Sequence, residues 1–174
     1  KLPVSIIIPT YGRAEYLKDL IASVRNSTPS GKYEFVVVSS DFPESDKARW
    51  LSQQNDVKLV FEGARKDWQV RKHGLAHYMN VGVKNSTGEW VFVVNDDMFF
   101  AQDWYKEFLN FLADPNNSNT GMIVIPTHIG HVSYGQRIPI IGKTKKGQED
   151  WKDLYLSDFA IIRKSVLEEV GLLD

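Results

Sequence analysis

The stretch EWVFVVNDDMFF, Glu89 to Phe100, decides how the rest of the chain is read. Trp90 to Val94 form a run of aromatic and β-branched residues, the pattern of a strand buried on both faces. The run enters Asn95-Asp96-Asp97 directly and returns at once to Met98-Phe99-Phe100. Carboxylates between two apolar segments are costly to bury unless something positive meets them. On a strand, residues two apart share a side. If the strand persists, Asn95 and Asp97 face together and Asp96 faces away; if the chain turns there, both acids reach one space. Two carboxylates held close repel, and a hard divalent cation relieves that repulsion. The plainer alternative is a strand-to-loop turn in which Asn or Asp bonds its own backbone.

Working outward, VSIIIPT, YEFVVVSS, VKLVFEG, GMIVIP and YLSDFAIIRKS read as further strands. Helical spacing fills the gaps between them. Leu17, Leu20, Ile21 and Val24 predict a helix over 14–26, and PESDKARWLSQQ a short one with Ala48 and Leu51 inward. Leu75, Tyr78, Met79, Gly82 and Val83 predict a helix over 73–84, and Trp104, Phe108, Phe111 and Leu112 another. Residues 128–150 decay into Gly, Pro and Lys, the pattern of a long loop with a hairpin. Ser165 with Glu168 has capping-box spacing for a last helix.

Alternating strands and helices with continuous apolar strands argue for an α/β domain with a mostly parallel sheet. Such sheets bind ligands beyond the carboxyl ends of their strands, near a topological switch point. Three polar clusters occupy those ends: Pro9-Thr10-Tyr11-Gly12-Arg13, Ser39-Ser40-Asp41 and Asn95-Asp96-Asp97.

With 174 residues the chain suffices for one domain with a real core. A net charge of −1 gives no electrostatic case for nucleic acid or an anionic membrane surface. Without cysteine, neither a disulfide framework nor a thiolate metal site is available. No apolar run approaches the ~18–20 residues of a membrane span. The chain begins on a strand without an initiator Met and stops at Asp174 without a tail, so a trimmed domain is expected. The expected location is the cytoplasm, with membrane association through an acceptor or a missing segment left open.

Three blocks, VSIIIPTYGRAEYLKDLIASV, GLAHYMNVGVKNSTGEWVFVVNDD and FAIIRKSVLEEVGLLD, resemble the signature blocks of family 2 glycosyltransferases, in the family's order. The resemblance covers nearly the whole chain. It implies the GT-A fold, an α/β domain with a mostly parallel central sheet and helices on both faces. Residues 1–174 would be one domain truncated at its C-terminus, with a nucleotide-sugar-binding half (1–100) and an acceptor half (101–174). The implied activity, of hexosyltransferase type, moves a sugar from a nucleotide-diphosphate donor to a saccharide or other hydroxyl acceptor, usually with inversion. The implied cofactor is a divalent cation, Mn²⁺ or Mg²⁺.

By that resemblance Asp97 ligates the metal, Asp96 contacts the ribose or donor sugar, and Asn95 stands where many relatives have a first acid. Pro9, Thr10, Tyr11 and Arg13 line the nucleotide pocket, Tyr11 flanking the base and Arg13 approaching phosphate or a pocket acid. Relatives carry acids after the second strand, one of which bonds uracil; here Ser39 and Ser40 stand there and the acid is delayed to Asp41. Uridine is favoured, with thymidine and guanosine open, and Ser39 to Asp41 capping the next helix is the alternative. Gly74 and Asn80 match the third block, where glycine admits the nucleotide to the backbone, with Arg71 and Lys72 placed to meet the diphosphate.

An inverting transferase needs a base for the acceptor hydroxyl. In relatives that acid follows the segment resembling VGLLD, where this chain ends. Asp158, interrupting the apolar YLSDFAII, is the internal candidate; an edge acid paired with Arg163 or Lys164 is the alternative. Trp151 is placed to stack on a sugar, and His128 with His131 offers a weaker metal-ligand pairing. Two other functions compete: a nucleotidyltransferase, for which PTYGRAEYLKD has too few glycines, and a non-catalytic nucleotide- or carbohydrate-binding remnant. The lack of G-x-G-x-x-G after the first strand argues against a Rossmann dehydrogenase.

Overall fold

The computed structural model describes residues 3–62, 74–125 and 159–172. Arg71, Lys72, His128, His131, Trp151, Asp158 and the 128–150 loop lie outside them. Six strands are described: β1 (Val4–Thr10), β2 (Tyr33–Ser39), β3 (Val57–Phe61), β4 (Trp90–Val93), β5 (Met122–Ile125) and β6 (Phe159–Arg163). Five helices accompany them: α1 (Ala14–Ser27), α2 (Asp46–Ser52), α3 (Leu75–Asn85), α4 (Trp104–Ala113) and α5 (Lys164–Val170).

The strands form one sheet in the order β3-β2-β1-β4-β6-β5. β3, β2, β1 and β4 are mutually parallel, while β6 runs antiparallel to both β4 and β5. The chain therefore builds outward from β1 to β3, then crosses back to place β4 on the other side of β1. That reversal is a topological switch point, and it falls between the two strands whose sequences carry the first and third polar clusters.

Strand alternation divides the core into two layers. Ile6, Ile8, Phe35, Val37, Trp90 and Phe92 face one side, against Leu17, Leu20, Ile21 and Val24 of α1, Leu51 of α2, and Trp104 and Phe108 of α4. Ile7, Val36, Val91 and Val93 face the other, against Val83 of α3 and Leu167 of α5. This is why the central strands read as unbroken apolar runs: both faces are covered. Each fully buried large side chain contributes ~1.5–3 kcal/mol. Gly82 lets α3 approach β1, since a Cβ there would lie 2.2 Å from Ile7 Cγ2.

Three local expectations are corrected. The capping box at Ser165 does not form: α5 starts at Lys164, immediately after β6, and its cap position, Arg163, makes no side-chain cap bond. With no loop between strand and helix, Ser165 is already inside the first turn. Capping of α2 falls to Ser45, which accepts Ala48 N–H at 3.2 Å, not to Ser39, Ser40 or Asp41. Leu75 is 54% exposed instead of inward. It precedes Gly82 by two turns, ~10 Å along the helix axis, which carries it past the end of the strand beneath.

Candidate active site

The site is assembled where β1 and β4 end. The β1–β4 ladder closes at Ile7 with Val93, and Val94 N–H reaches Ile7 O at 3.0 Å. Backbone groups of alternate residues share a side, so Pro9 turns its missing N–H toward the flank that β4 has just left. The proline therefore costs the sheet no hydrogen bond. On the opposite flank β1 and β2 stay paired to Thr10 and Ser39, and Ser40 N–H reaches Thr10 O at 3.2 Å.

Past Val93 the chain turns instead of continuing as strand, so Asp96 and Asp97 reach the same group. That group is Arg13, whose Nη1 donates to Asp96 Oδ1 at 3.2 Å and Asp97 Oδ2 at 2.9 Å. The positive partner demanded by carboxylates between two apolar segments is thus supplied from the loop between β1 and α1. Met98 and Phe100 re-enter the core beside Trp104, with the Phe100 and Trp104 ring centroids 4.8 Å apart.

The two acids differ in setting. Asp96 is 6% exposed and also accepts the Thr10 hydroxyl on Oδ2 at 2.8 Å. The Asp97 side chain is 46% exposed, and among the described residues its Oδ1 has no protein partner. Asp96 is fixed; Asp97 offers an oxygen to whatever occupies the space outside. The Arg13 side chain, 54% exposed, spans both.

The loop bearing Arg13 is unusual. Gly12 has φ 67° and Arg13 has φ 38°, ψ 41°, two consecutive left-handed residues. Glycine adopts that region readily, whereas a residue with a Cβ is strained there by ~1–2 kcal/mol. Tyr11, just before them, is 47% exposed.

The second cluster joins the first. Asp41 Oδ1 accepts Gly12 N–H at 3.0 Å, and Ser39 is buried, donating its hydroxyl to Asp41 Oδ2 at 3.2 Å. Asp41 also pairs with Lys47 of α2. Lys47 was missed in the sequence because a lysine on a short helix reads as solvated. Its signal was positional: residue 47 adjoins inward Ala48 and lies four before inward Leu51, so it shares their face. Beyond β3, Glu62 and His77 of α3 approach at 2.9 Å, adding another polar pair at the same end of the sheet.

The structure thus brings Thr10, Arg13, Ser39, Asp41, Asp96 and Asp97 into one hydrogen-bonded network. Asn95 is half-buried beside it. Gly74 caps α3 in ordinary extended geometry, φ −71° and ψ 172°, and among the described residues none beyond its chain neighbours comes within 4 Å of a would-be Cβ.

Several known proteins resemble this chain in sequence or in fold. A dolichol-phosphate mannosyltransferase of Pyrococcus furiosus is 35% identical over 97 residues, 55% of this chain and 25% of that protein. A mannosyltransferase from Pyrobaculum calidifontis, solved with GDP-mannose and Mn²⁺, superposes with a TM-score of 0.65 at 22% identity, covering 100% of this chain and 48% of that one. Staphylococcus aureus TarS with UDP-GlcNAc gives a TM-score of 0.68 at 20% identity, covering 98% and 48%. The fold is therefore GT-A, and the chain spans about a quarter to a half of the length of these relatives. The model of the family described as glycosyl transferase family 2 matches residues 5–171, and the chain belongs to that family.

Proposed function

We propose that this chain binds a nucleotide-diphosphate sugar across the carboxyl ends of β1, β2 and β4 and transfers the sugar to an acceptor hydroxyl with inversion. The observation that carries the reading is the meeting of Asp96, Asp97 and Arg13 at the switch point, with an Asp97 oxygen left to solvent. Family membership supports the reaction class.

The donor set suits Mn²⁺ or Mg²⁺. These hard cations are commonly held by one or two carboxylates together with substrate phosphates, and Asp97 offers a half-exposed carboxylate oxygen. Among the described residues no cluster of three His, Cys, Asp or Glu side chains closes a cage around a metal. A bound cation would supply Lewis-acid stabilisation of the departing diphosphate, worth several kcal/mol.

The protein's own contributions are positional and electrostatic. Asp96, immobilised by Thr10 and Arg13, presents a fixed acceptor to ribose or donor-sugar hydroxyls. Arg13 neutralises both acids and, lying half in solvent, is placed to share its donors with a phosphate. Tyr11 exposes a ring against which the base stacks, and Ser39 acts by orienting Asp41. Gly74, at the start of α3, and Asn95, next to Asp96, complete the proposed donor-binding set. Asp158 is the proposed base that takes the acceptor proton.

A UDP-sugar is the favoured donor and a GDP-sugar the competitor; one solved neighbour holds UDP-GlcNAc and another GDP-mannose. Release of nucleoside diphosphate from UDP- and GDP-sugars should be measured with Mn²⁺ and with a chelator. Turnover that requires the cation supports the proposal; equal turnover in both conditions contradicts it.

A further inference from the structure

The donor-site network is held from beneath by a side chain with no place in the reading above. Lys47 is 6% exposed and its ammonium meets three groups: Gly12 O at 2.7 Å, Thr10 Oγ1 at 3.1 Å and the Asp41 carboxylate. An ammonium only donates. Thr10 oxygen must therefore accept from Lys47, and its single proton is directed to Asp96 Oδ2, 2.8 Å away. Lys47 thereby settles which way the Thr10 hydroxyl points, and so how Asp96 is held.

The same ammonium controls the loop. Asp41 takes the Gly12 N–H while Lys47 takes the Gly12 carbonyl, and the two side chains pair with each other. The Gly12 residue is gripped from both sides by one ion pair. Its neighbour Arg13 occupies left-handed space, a conformation that persists only where the surroundings over-determine it. The clasp provides that constraint one residue before the guanidinium that bridges Asp96 and Asp97.

We propose that Lys47 is a positioning residue for the donor site, acting on Arg13 through Gly12 and on Asp96 through Thr10, without touching the ligand. This rests on the proposed donor reading. The test is isothermal titration of UDP, TDP and GDP, each with Mn²⁺, into wild type, Lys47→Met, Arg13→Ala and the Lys47→Met/Arg13→Ala double variant, with a thermal melt of each.

Lys47→Met should weaken nucleotide binding about 10–100-fold, as loss of a partner behind a ligand-contacting group does, while retaining a cooperative melt. The double variant should lose less than the product of the two single losses, because Lys47 works partly through Arg13. A folded Lys47→Met that binds as wild type overturns the inference, as do losses that multiply. If Lys47→Met does not fold, Thr10→Val and Thr10→Ser decide: loss with Val and retention with Ser support the relay, and unchanged binding in Thr10→Val overturns it. A wild type that binds none of the three nucleotides rejects the donor reading itself, and this inference with it.

Discussion

Strands β1, β2 and β4 carry polar clusters at both ends, and the two are built differently. At the amino end, Ser5 Oγ donates to Glu34 Oε1 at 2.6 Å and accepts Gly88 N–H at 2.8 Å, while Thr87 donates its backbone N–H and its hydroxyl to the same carboxylate oxygen. One carboxylate is answered there by neutral donors and backbone, and Ser5 is fully buried. At the carboxyl end, charge meets charge, and Arg13 and Asp97 keep about half of their side-chain surface in solvent. In the first cluster neutral donors of the protein satisfy a half-buried carboxylate; the second leaves an Asp97 oxygen to solvent. A polar cluster at a strand end therefore does not mark a function by itself. What distinguishes the candidate site is ionic groups, strained backbone and an open side together.

Asp97→Ala breaks the comparison most strongly. It should lower donor turnover by ~10²–10³-fold, the scale of losing one electrostatic contributor to the transition state, and abolish dependence on Mn²⁺. Its melting temperature should stay near wild type, because a half-exposed side chain is removed. Steady-state kinetics with and without chelator, beside a melt, checks both halves.

Gly88→Ala is the converse. A Cβ there would lie 2.6 Å from Ser5 N and from Ser5 Oγ, in the buried part of the amino-end cluster. Overpacking of this kind costs ~1–3 kcal/mol, so chemical denaturation should show a clear stability loss. Nucleotide affinity of the folded fraction should be retained.

Acid should act on the amino end too. Burial pushes the Glu34 carboxyl up, but the Ser5, Thr87 and Gly88 donors outweigh it and hold the pKa below its ordinary value of 4.5. A depressed carboxylate contributes stability that is complete above its unfolded pKa and lost as pH falls through the lower folded one. Melting temperature should therefore drop on acidification below pH 4.5, and Glu34→Gln should flatten part of that slope.

The smallest effect is expected at Arg25–Asp56, a partly exposed pair at 2.5 Å on the α1 flank. Charge-reversing both residues should change stability by no more than ~1 kcal/mol and leave donor binding unaltered.

Much of this plan was legible in the residues. Two-sided apolar runs announced β1, β2 and β4, and the acids after Val94 required a cation that Arg13 supplies. The less legible parts are those set by tertiary geometry. Leu75 keeps helical phase with Gly82, yet nothing in the phase says the sheet ends before it. Ser165 and Glu168 have the right spacing, but β6 passes into α5 without the loop a cap needs. Lys47 is buried with its ammonium met by Gly12 O, Thr10 Oγ1 and Asp41, all from the ends of other strands. Periodicity reports which face of an element is covered, and not where its support stops or which distant charge arrives.

The central claim is that the open acidic end receives a metal-bound diphosphate through Asp97. Thermal shifts of wild type and Asp97→Ala with UDP, TDP and GDP, each with and without Mn²⁺, test it most directly. At 100-fold excess over Kd a ligand of the native state stabilises it by about 2.7 kcal/mol. The account predicts a Mn²⁺-dependent shift with one nucleotide that Asp97→Ala abolishes; an equal shift in both proteins, or one indifferent to Mn²⁺, would contradict it.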